Sequence, residues 1–417
     1  MIKKLSAMVS YSFIAVVLTF VFQTLATHIL TTHEYGILAK WITDIGYLSV
    51  FFILGLDSSL LYHAKLGESI ERNITKNIIV YFTMLVLSLI AISILQVDKL
   101  YYITLSISIF FIAIVGLVRA SYQFNQNFKV YNILSIIKPL FILIAFLLLF
   151  FKGEIVNYQT ALIIYSLMSL IASVCIVLIY LKNNTFYLAD SKILDKSYYS
   201  YGIRSILNKV LSLTLYASTV YCITALLDFQ IVAYFFVASS ISKIVWVVPD
   251  SVGNLLYPRF LKIHSKKDDE IALNEMYYYA QVVFIINIAC IMLFFLLGPT
   301  VLSILYDSTY SVNYFPILIL LFGNQGMVYY KLISRYLASK NYWKPLYLSL
   351  AVGVFTNVIS NYILLERFGL IGAAISTSLS FWACGLTISF FVRDSLFKFL
   401  NLESLYRSFT NKKVLKV

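Results

Sequence analysis

The chain has 417 residues, of which 61% are hydrophobic and 12% charged, with a mean hydropathy of +0.86. A soluble chain is about 25% charged, so this composition excludes a water-facing globular fold. The formal net charge of +13 would suggest nucleic acid in a soluble protein. Here the basic residues sit mostly in loops between apolar runs, so the charge reads as membrane topology and not as a nucleic-acid partner.

An apolar run of roughly 18 residues or more reads as a membrane span. About twelve such runs follow one another, near 6–30, 37–62, 77–95, 101–118, 131–151, 159–181, 203–226, 230–256, 276–297, 312–335, 345–365 and 370–392. The expected fold is an all-α polytopic membrane protein. The first run lacks a small-residue cleavage site and reads as a retained span, not a signal peptide.

Two corners organise the chain. Thr-Thr-His-Glu-Tyr-Gly at 31–36 opens a long run that carries Asp44 and Asp57 and ends at Lys65. A second corner at Asp228 opens a run that carries Lys243 and Asp250 and ends in basic residues near Lys262. One unit used twice predicts two six-helix bundles of the same orientation, related by a parallel pseudo-two-fold axis and enclosing a central cavity. The expected divisions are an N-terminal bundle over 1–182, a cytoplasmic linker over 183–201, a C-terminal bundle over 202–392 and a basic cytoplasmic tail over 393–417.

Alternate loops differ sharply in Lys and Arg. One set holds Lys3, Lys4, Lys65, Arg72, Lys76 and their successors through to the tail. The other holds only Lys40, Lys99, Lys152 and Arg367. The positive-inside rule then places both termini in the cytoplasm.

A charge at a helix centre costs about 2.5–3.5 kcal/mol on insertion scales, so it normally faces a cavity or a partner. Lys243 lies about thirteen residues from either end of its run, roughly 20 Å at 1.5 Å per residue, beyond the reach of snorkelling. It reads as a cavity-facing cation, against a structural ion pair with Asp250. Lys138 and Lys209 lie about two turns inside their cytoplasmic ends and read either as cavity cations or as snorkelling side chains. Pro139 beside Lys138 predicts a kink. Lys331 and Arg335, spaced i,i+4, complete the cationic set, against a bland reading as interfacial anchors. Such a lining concentrates anions, and Lys and Arg hold phosphate or pyrophosphate by charge-assisted hydrogen bonds.

Asp44, Asp57 and Asp250 are the candidates for ion coupling. Each has a structural reading beside it. Asp44 can pair with Lys40 one turn away, Asp57 can end a helix after Gly55, and Pro249-Asp250 can break one. His28, Gln23, Asn254, Asn324 and Gln325 read as interhelical hydrogen-bond formers. Cys175, Cys222, Cys290 and Cys384 lie in apolar runs and read as small buried hydrophobes. No Walker A, His-Glu-x-x-His or Cys-x-x-Cys motif occurs in the chain, so no nucleotide, metal or other cofactor is expected, and no catalytic residue is assigned.

Glu34-Tyr35-Gly36 with Leu54-Gly55-Leu56-Asp57 resembles the opening of polysaccharide-biosynthesis flippases. Leu256-Tyr257-Pro258-Arg259-Phe260 resembles their turn after the eighth helix. Leu297-Gly298-Pro299-Thr300, Leu305-Tyr306-Asp307 and Tyr310 resemble their corner after the ninth. Phe368-Gly369-Leu370-Ile371-Gly372-Ala373-Ala374-Ile375-Ser376-Thr377 resembles the start of their last helix, where small residues permit close helix contact. Val232 departs from the pattern, since a Gly often stands there. The resemblance is to the O-antigen or capsular repeat-unit branch of the multidrug/oligosaccharidyl-lipid/polysaccharide exporter superfamily. It implies a V-shaped pair of six-helix bundles in the bacterial inner membrane. It also implies a flippase for undecaprenyl-pyrophosphate-linked oligosaccharide, with membrane lipids, a polysaccharide polymerase and a chain-length regulator as partners. The peptidoglycan-precursor branch typically has two further helices, which this chain does not show.

Two other readings stand beside it. A cation-coupled drug or metabolite antiporter of the same superfamily should carry deep acids, whereas the deep charges here are mostly basic. A polytopic polysaccharide polymerase should carry a sizeable outer loop, and the outer loops here are short.

Overall fold

The computed structural model describes residues 2–65, 69–95, 97–125, 127–153, 156–182, 196–265 and 269–392. Most of the expected linker, 183–195, and the whole expected tail, 393–417, lie outside the described residues. Those described are almost entirely helical, as the apolar pattern predicts.

Thirteen α-helices follow in chain order: α1 (Ile2–Ile29), α2 (Thr32–Ile53), α3 (Leu56–Lys65), α4 (Ile70–Ile94), α5 (Lys99–Phe124), α6 (Phe128–Lys152), α7 (Tyr158–Leu181), α8 (Lys196–Leu226), α9 (Phe229–Lys243), α10 (Val247–Ser265), α11 (Asp269–Leu305), α12 (Tyr314–Ser339) and α13 (Lys344–Phe390). Ten helical stretches among the described residues are long and apolar enough to cross a membrane, and Phe13–Ile29 is a shorter apolar one. The protein is a multi-pass membrane protein.

The two corners read from sequence are helix starts. Thr31 accepts from the backbone N–H of Glu34 at 3.3 Å, and the Glu34 carboxylate accepts from the Thr31 backbone N–H at 3.3 Å and from its hydroxyl at 2.9 Å. This reciprocal box satisfies donors that a helix start leaves open. Asp228 caps α9 through the Gln230 N–H at 2.5 Å. Both turns rest on a polar residue that offers an oxygen where the backbone needs one.

Both long runs are broken. The first bends where Leu54 (φ 52°) and Gly55 (φ 66°) adopt left-handed backbone between α2 and α3. The second passes through a single 3-10 turn, Ile244–Trp246, between α9 and α10. The break expected at Pro249-Asp250 therefore falls a turn earlier. Pro249 sits in the first turn of α10, where its missing N–H costs nothing, and its ring disfavours a helical partner four residues back, at Val245. The two runs expected at 345–365 and 370–392 are continuous in α13 except at Gly369, whose backbone (φ 51°, ψ −125°) is open only to glycine.

The residues divide into two compact units, parted within α8 after Ala217. In the first, Leu56, Leu60, Ile74, Tyr81, Leu117, Leu134, Ile176, Tyr180 and Tyr198 form one buried apolar cluster. In the second, α12 and α13 pack backbone against backbone: a Cβ on Gly385 would stand 2.2 Å from the Gly326 carbonyl oxygen. Small residues allow this approach where apolar burial gives helices no drive to associate in lipid. The four cysteines are free; Cys384 is buried and the other three half-buried.

Candidate functional site

Within the first unit, α1, α2, α6 and α7 surround a cavity of about 170 Å³ lined by Thr19, Phe22, Gln23, Ile42, Lys138, Pro139, Ile142 and Tyr165. Pro139 lies inside α6, where it withholds an N–H from the turn before it. The Lys138 ammonium lies 5.2 Å from the centre of the Tyr165 ring, within cation–π range. That ring is buried, edge-on to Trp41 at 5.1 Å and tilted against Phe22 at 5.8 Å. Among the described residues Lys138 has no hydrogen bond and no carboxylate partner. The aromatic tyrosine platform was not visible in the sequence, because α6 and α7 meet only in the fold.

The other deep cation of the first unit has a different environment. Lys209 on α8 reaches both Asp57 oxygens at 2.8 and 2.7 Å and the Ser58 hydroxyl at 3.3 Å. Asp57 opens α3, directly after the break. Both sides of the break are also held: the Tyr81 hydroxyl donates to Ile53 O at the end of α2 at 3.3 Å, and the Asn77 amide donates to Leu56 O at the start of α3 at 3.3 Å. Gly202 on α8 lets that helix approach, since a Cβ there would stand 2.8 Å from Leu54 O. Lys209 and Asp57 thus form a clamp on a broken helix.

Asp44 shows the intrahelical pair that its spacing allows. Lys40 Nζ donates to it at 2.7 Å, and the Tyr101 hydroxyl donates at 2.6 Å from α5. Asp44 is 5% exposed.

In the second unit the charges gather at the 3-10 turn. Lys331 on α12 reaches both oxygens of Asp250 at 2.8 and 2.7 Å. Its ammonium also lies 4.1 Å from the centre of the Trp246 ring, and Lys243 approaches the same ring at 5.7 Å. The carboxylate that the sequence offered to Lys243 thus holds Lys331, from a helix 81 residues further on. The reading of Lys331 as an interfacial anchor overlooked this. Arg335, one turn beyond, is exposed and lies across Gly253, where a Cβ would stand 3.3 Å from its Cγ. Asn324 donates to Ser242 O at 2.7 Å, which is the interhelical bond its polarity predicts.

A buried polar cluster escaped the sequence reading. The Asn357 carbonyl accepts from Ser218 at 2.7 Å and from the Asn361 amide at 2.7 Å, and its own amide donates to Thr219 at 3.0 Å and Ser380 at 3.3 Å. Thr219 and Thr377 bond at 2.9 Å. The signal available was Asn at i,i+4 in one apolar run.

No family model matches this chain, and no curated relative matches it. Solved structures do. The chain is similar to the lipid II flippase MurJ in an inward closed conformation, with a TM-score of 0.75 and 16% identity over 97% of this chain and 91% of that one. It is similar to a MATE transporter in a straight conformation, with a TM-score of 0.68 and 13% identity over 97% and 96% of the two chains. It is also similar to a MOP superfamily transporter from Pyrococcus furiosus described by the reverse polarity of its binding pocket, with a TM-score of 0.60 and 14% identity over 94% and 96%. At these identities the likeness establishes the fold, which is that of polytopic transporters and flippases.

Proposed function

We propose that this protein is a flippase for an anionic lipid-linked substrate, an undecaprenyl-pyrophosphate-linked oligosaccharide repeat unit of O-antigen or capsule. It acts in the bacterial inner membrane with both termini cytoplasmic. The observation that carries this reading is Lys138: a cation at membrane depth, in a cavity, with no carboxylate partner among the described residues. Such a charge is expensive to insert and is stabilised by an incoming anion. The likeness to the lipid II flippase supports the class of cargo.

In this reading Lys138 meets the pyrophosphate within its own unit. Lys209 and Lys331, each bonded to a carboxylate, hold the broken helices and set the shape of the path. Transport proceeds by alternating access of the two bundles, 1–182 and 202–392, with polysaccharide polymerase and chain-length regulator acting downstream.

The test is a leaflet-resolved assay in a deletion strain. Lipid-linked single repeat units should accumulate on the cytoplasmic face. Complementation by Lys138→Ala should be weak at unchanged protein level. Accumulation on the outer face would defeat the reading and point to polymerisation instead.

A cation-coupled drug antiporter is the second reading. It is supported by the MATE likeness and by the burial of Asp44. A drug-susceptibility panel on the deletion strain separates the two, since only the antiporter predicts hypersensitivity.

A further inference from the structure

The cavity around Lys138 is small and chemically one-sided. Its ≈ 170 Å³ falls below the roughly 300–1,000 Å³ of pockets that enclose organic ligands. It is still several times the ~30 Å³ share of one water. An oligosaccharide does not fit inside it.

Its polar lining consists of one cation, one amide and two hydroxyls, with no carboxylate among the lining residues. The Gln23 amide and the Tyr165 hydroxyl make no hydrogen bond among the described residues. The Thr19 hydroxyl is already committed, donating to Ala15 O at 2.9 Å. Three donor groups therefore remain open at the cavity: the Lys138 ammonium, the Gln23 amide and the Tyr165 hydroxyl. An anion with several acceptor oxygens satisfies all three at once, by charge-assisted hydrogen bonds. Tyr165 is held by Trp41 and Phe22, so the platform under Lys138 is pre-organised. All the lining belongs to one compact unit, so the donors come together within that unit's own packing.

We infer that this cavity is a single-oxyanion subsite in which Lys138, Gln23 and Tyr165 bind one phosphoryl-sized group. The group is supplied either by the pyrophosphate of a lipid-linked substrate or by free phosphate. The inference rests on the anionic-substrate reading above for the first source only. In the lipid-linked case one phosphoryl enters the cavity while the sugars stay outside it.

The test uses the full-length protein in nanodiscs of uncharged lipid, at constant ionic strength, titrated with inorganic phosphate and followed by its thermal midpoint. The wild type should give a saturable rise, and chloride should not reproduce it. Lys138→Met should abolish the response, and Lys138→Arg should retain it in weaker form. Gln23→Leu and Tyr165→Phe, which keep the cation, should each weaken the apparent affinity roughly tenfold or more, the range for a hydrogen bond to a charged group. These two variants, with Lys138→Arg, keep the test open should Lys138→Met fail to fold. A saturable response of unchanged midpoint concentration in Lys138→Met, or an equal rise with chloride, would overturn the subsite.

A short-chain isoprenyl pyrophosphate separates the sources. Competitive displacement of phosphate that is lost with Lys138 assigns the site to a headgroup, and phosphate binding indifferent to it assigns the site to the free ion. The subsite and the flippase reading fail separately. A wild type without a phosphate response but with intact flipping loses only the subsite. A deletion strain without cytoplasmic intermediates, beside a saturable Lys138-dependent response, loses only the flippase.

Discussion

The Lys331 ammonium lies 4.1 Å from the centre of the Trp246 ring, and the same ammonium grips both oxygens of Asp250. One cation thereby ties α12 to both sides of a kink: to the indole in the 3-10 turn and to the carboxylate in the first turn of α10. These side-chain contacts brace the 3-10 turn against α12. Trp246→Leu removes the ring from Lys331 and from Lys243 together. A desolvated cation–π contact is worth about 2 kcal/mol, so a loss of at least that size is expected, with Trp246→Phe intermediate. Thermal unfolding of the purified protein checks this. Equal midpoints for Leu and wild type would show that the ring does not hold the kink.

Lys209 and Asp57 do the corresponding work at the first break, and here exposure sets the magnitude. Their side chains are 37% and 34% exposed, so water screens the pair, and its coupling is expected at about 1 kcal/mol, the upper end for exposed pairs. A double-mutant cycle with Lys209→Met and Asp57→Asn measures it. The two changes should be less than additive. Simple additivity would mean that the Tyr81 and Asn77 hydrogen bonds alone hold the break.

How much of this was legible beforehand depends on whether a contact lies within one helix or between two. The Thr31–Glu34 box, the Asp228 cap and the Lys40–Asp44 pair are local, at separations of two to four residues, and the sequence displays them. The apolar runs are local too, and nearly all return as helices. The partners of Lys331, Lys209 and Lys138 stand 81, 152 and 27 residues away, and helical periodicity carries no information at those distances. Trp246 and Tyr165 were invisible for the same reason. The misplaced second break has a local cause: the clash of Pro249 is felt one turn before the proline itself, at Val245.

Asp44 separates stability from transport. Its carboxylate accepts from Lys40 and Tyr101 and is almost wholly buried, so removing the negative charge leaves Lys40, whose side chain is 20% exposed, beside an amide. Breaking a buried pair by removing one partner costs about 3–5 kcal/mol. Asp44→Asn should therefore lower the melting temperature and the amount of folded protein. Tyr101→Phe, which deletes a single donor, should cost about 1.5–3 kcal/mol, the range for a hydrogen bond to a charged group. In the flippase reading, transport per folded molecule is unchanged by either. Loss of transport in a fully folded Asp44→Asn protein would move Asp44 into the coupling machinery and favour the antiporter.

The Asn357 cluster makes the sharpest stability prediction, because every member is buried and one side chain serves four others. Asn357 accepts from Ser218 and Asn361 and donates to Thr219 and Ser380. Asn357→Leu keeps the volume close to native but removes these bonds without water to replace them. Each neutral bond of this kind contributes about 0.5–1.5 kcal/mol, and Thr219, Asn361 and Ser380 keep other bonds: Thr219 with Thr377 at 2.9 Å and with the Asn361 amide at 3.2 Å, and Ser380 with Thr377 O at 2.7 Å. Losing all four bonds should cost roughly 2–6 kcal/mol on that per-bond scale. The triple change Asn357→Leu with Ser218→Ala and Asn361→Leu removes two of the bonded groups along with their partner. It should recover much of the loss, because replacing both partners of a bond by apolar groups of similar shape is nearly neutral. Thermal midpoints of the single and triple variants decide it: a triple variant less stable than the single one would show that the cluster contributes through packing rather than through its hydrogen bonds.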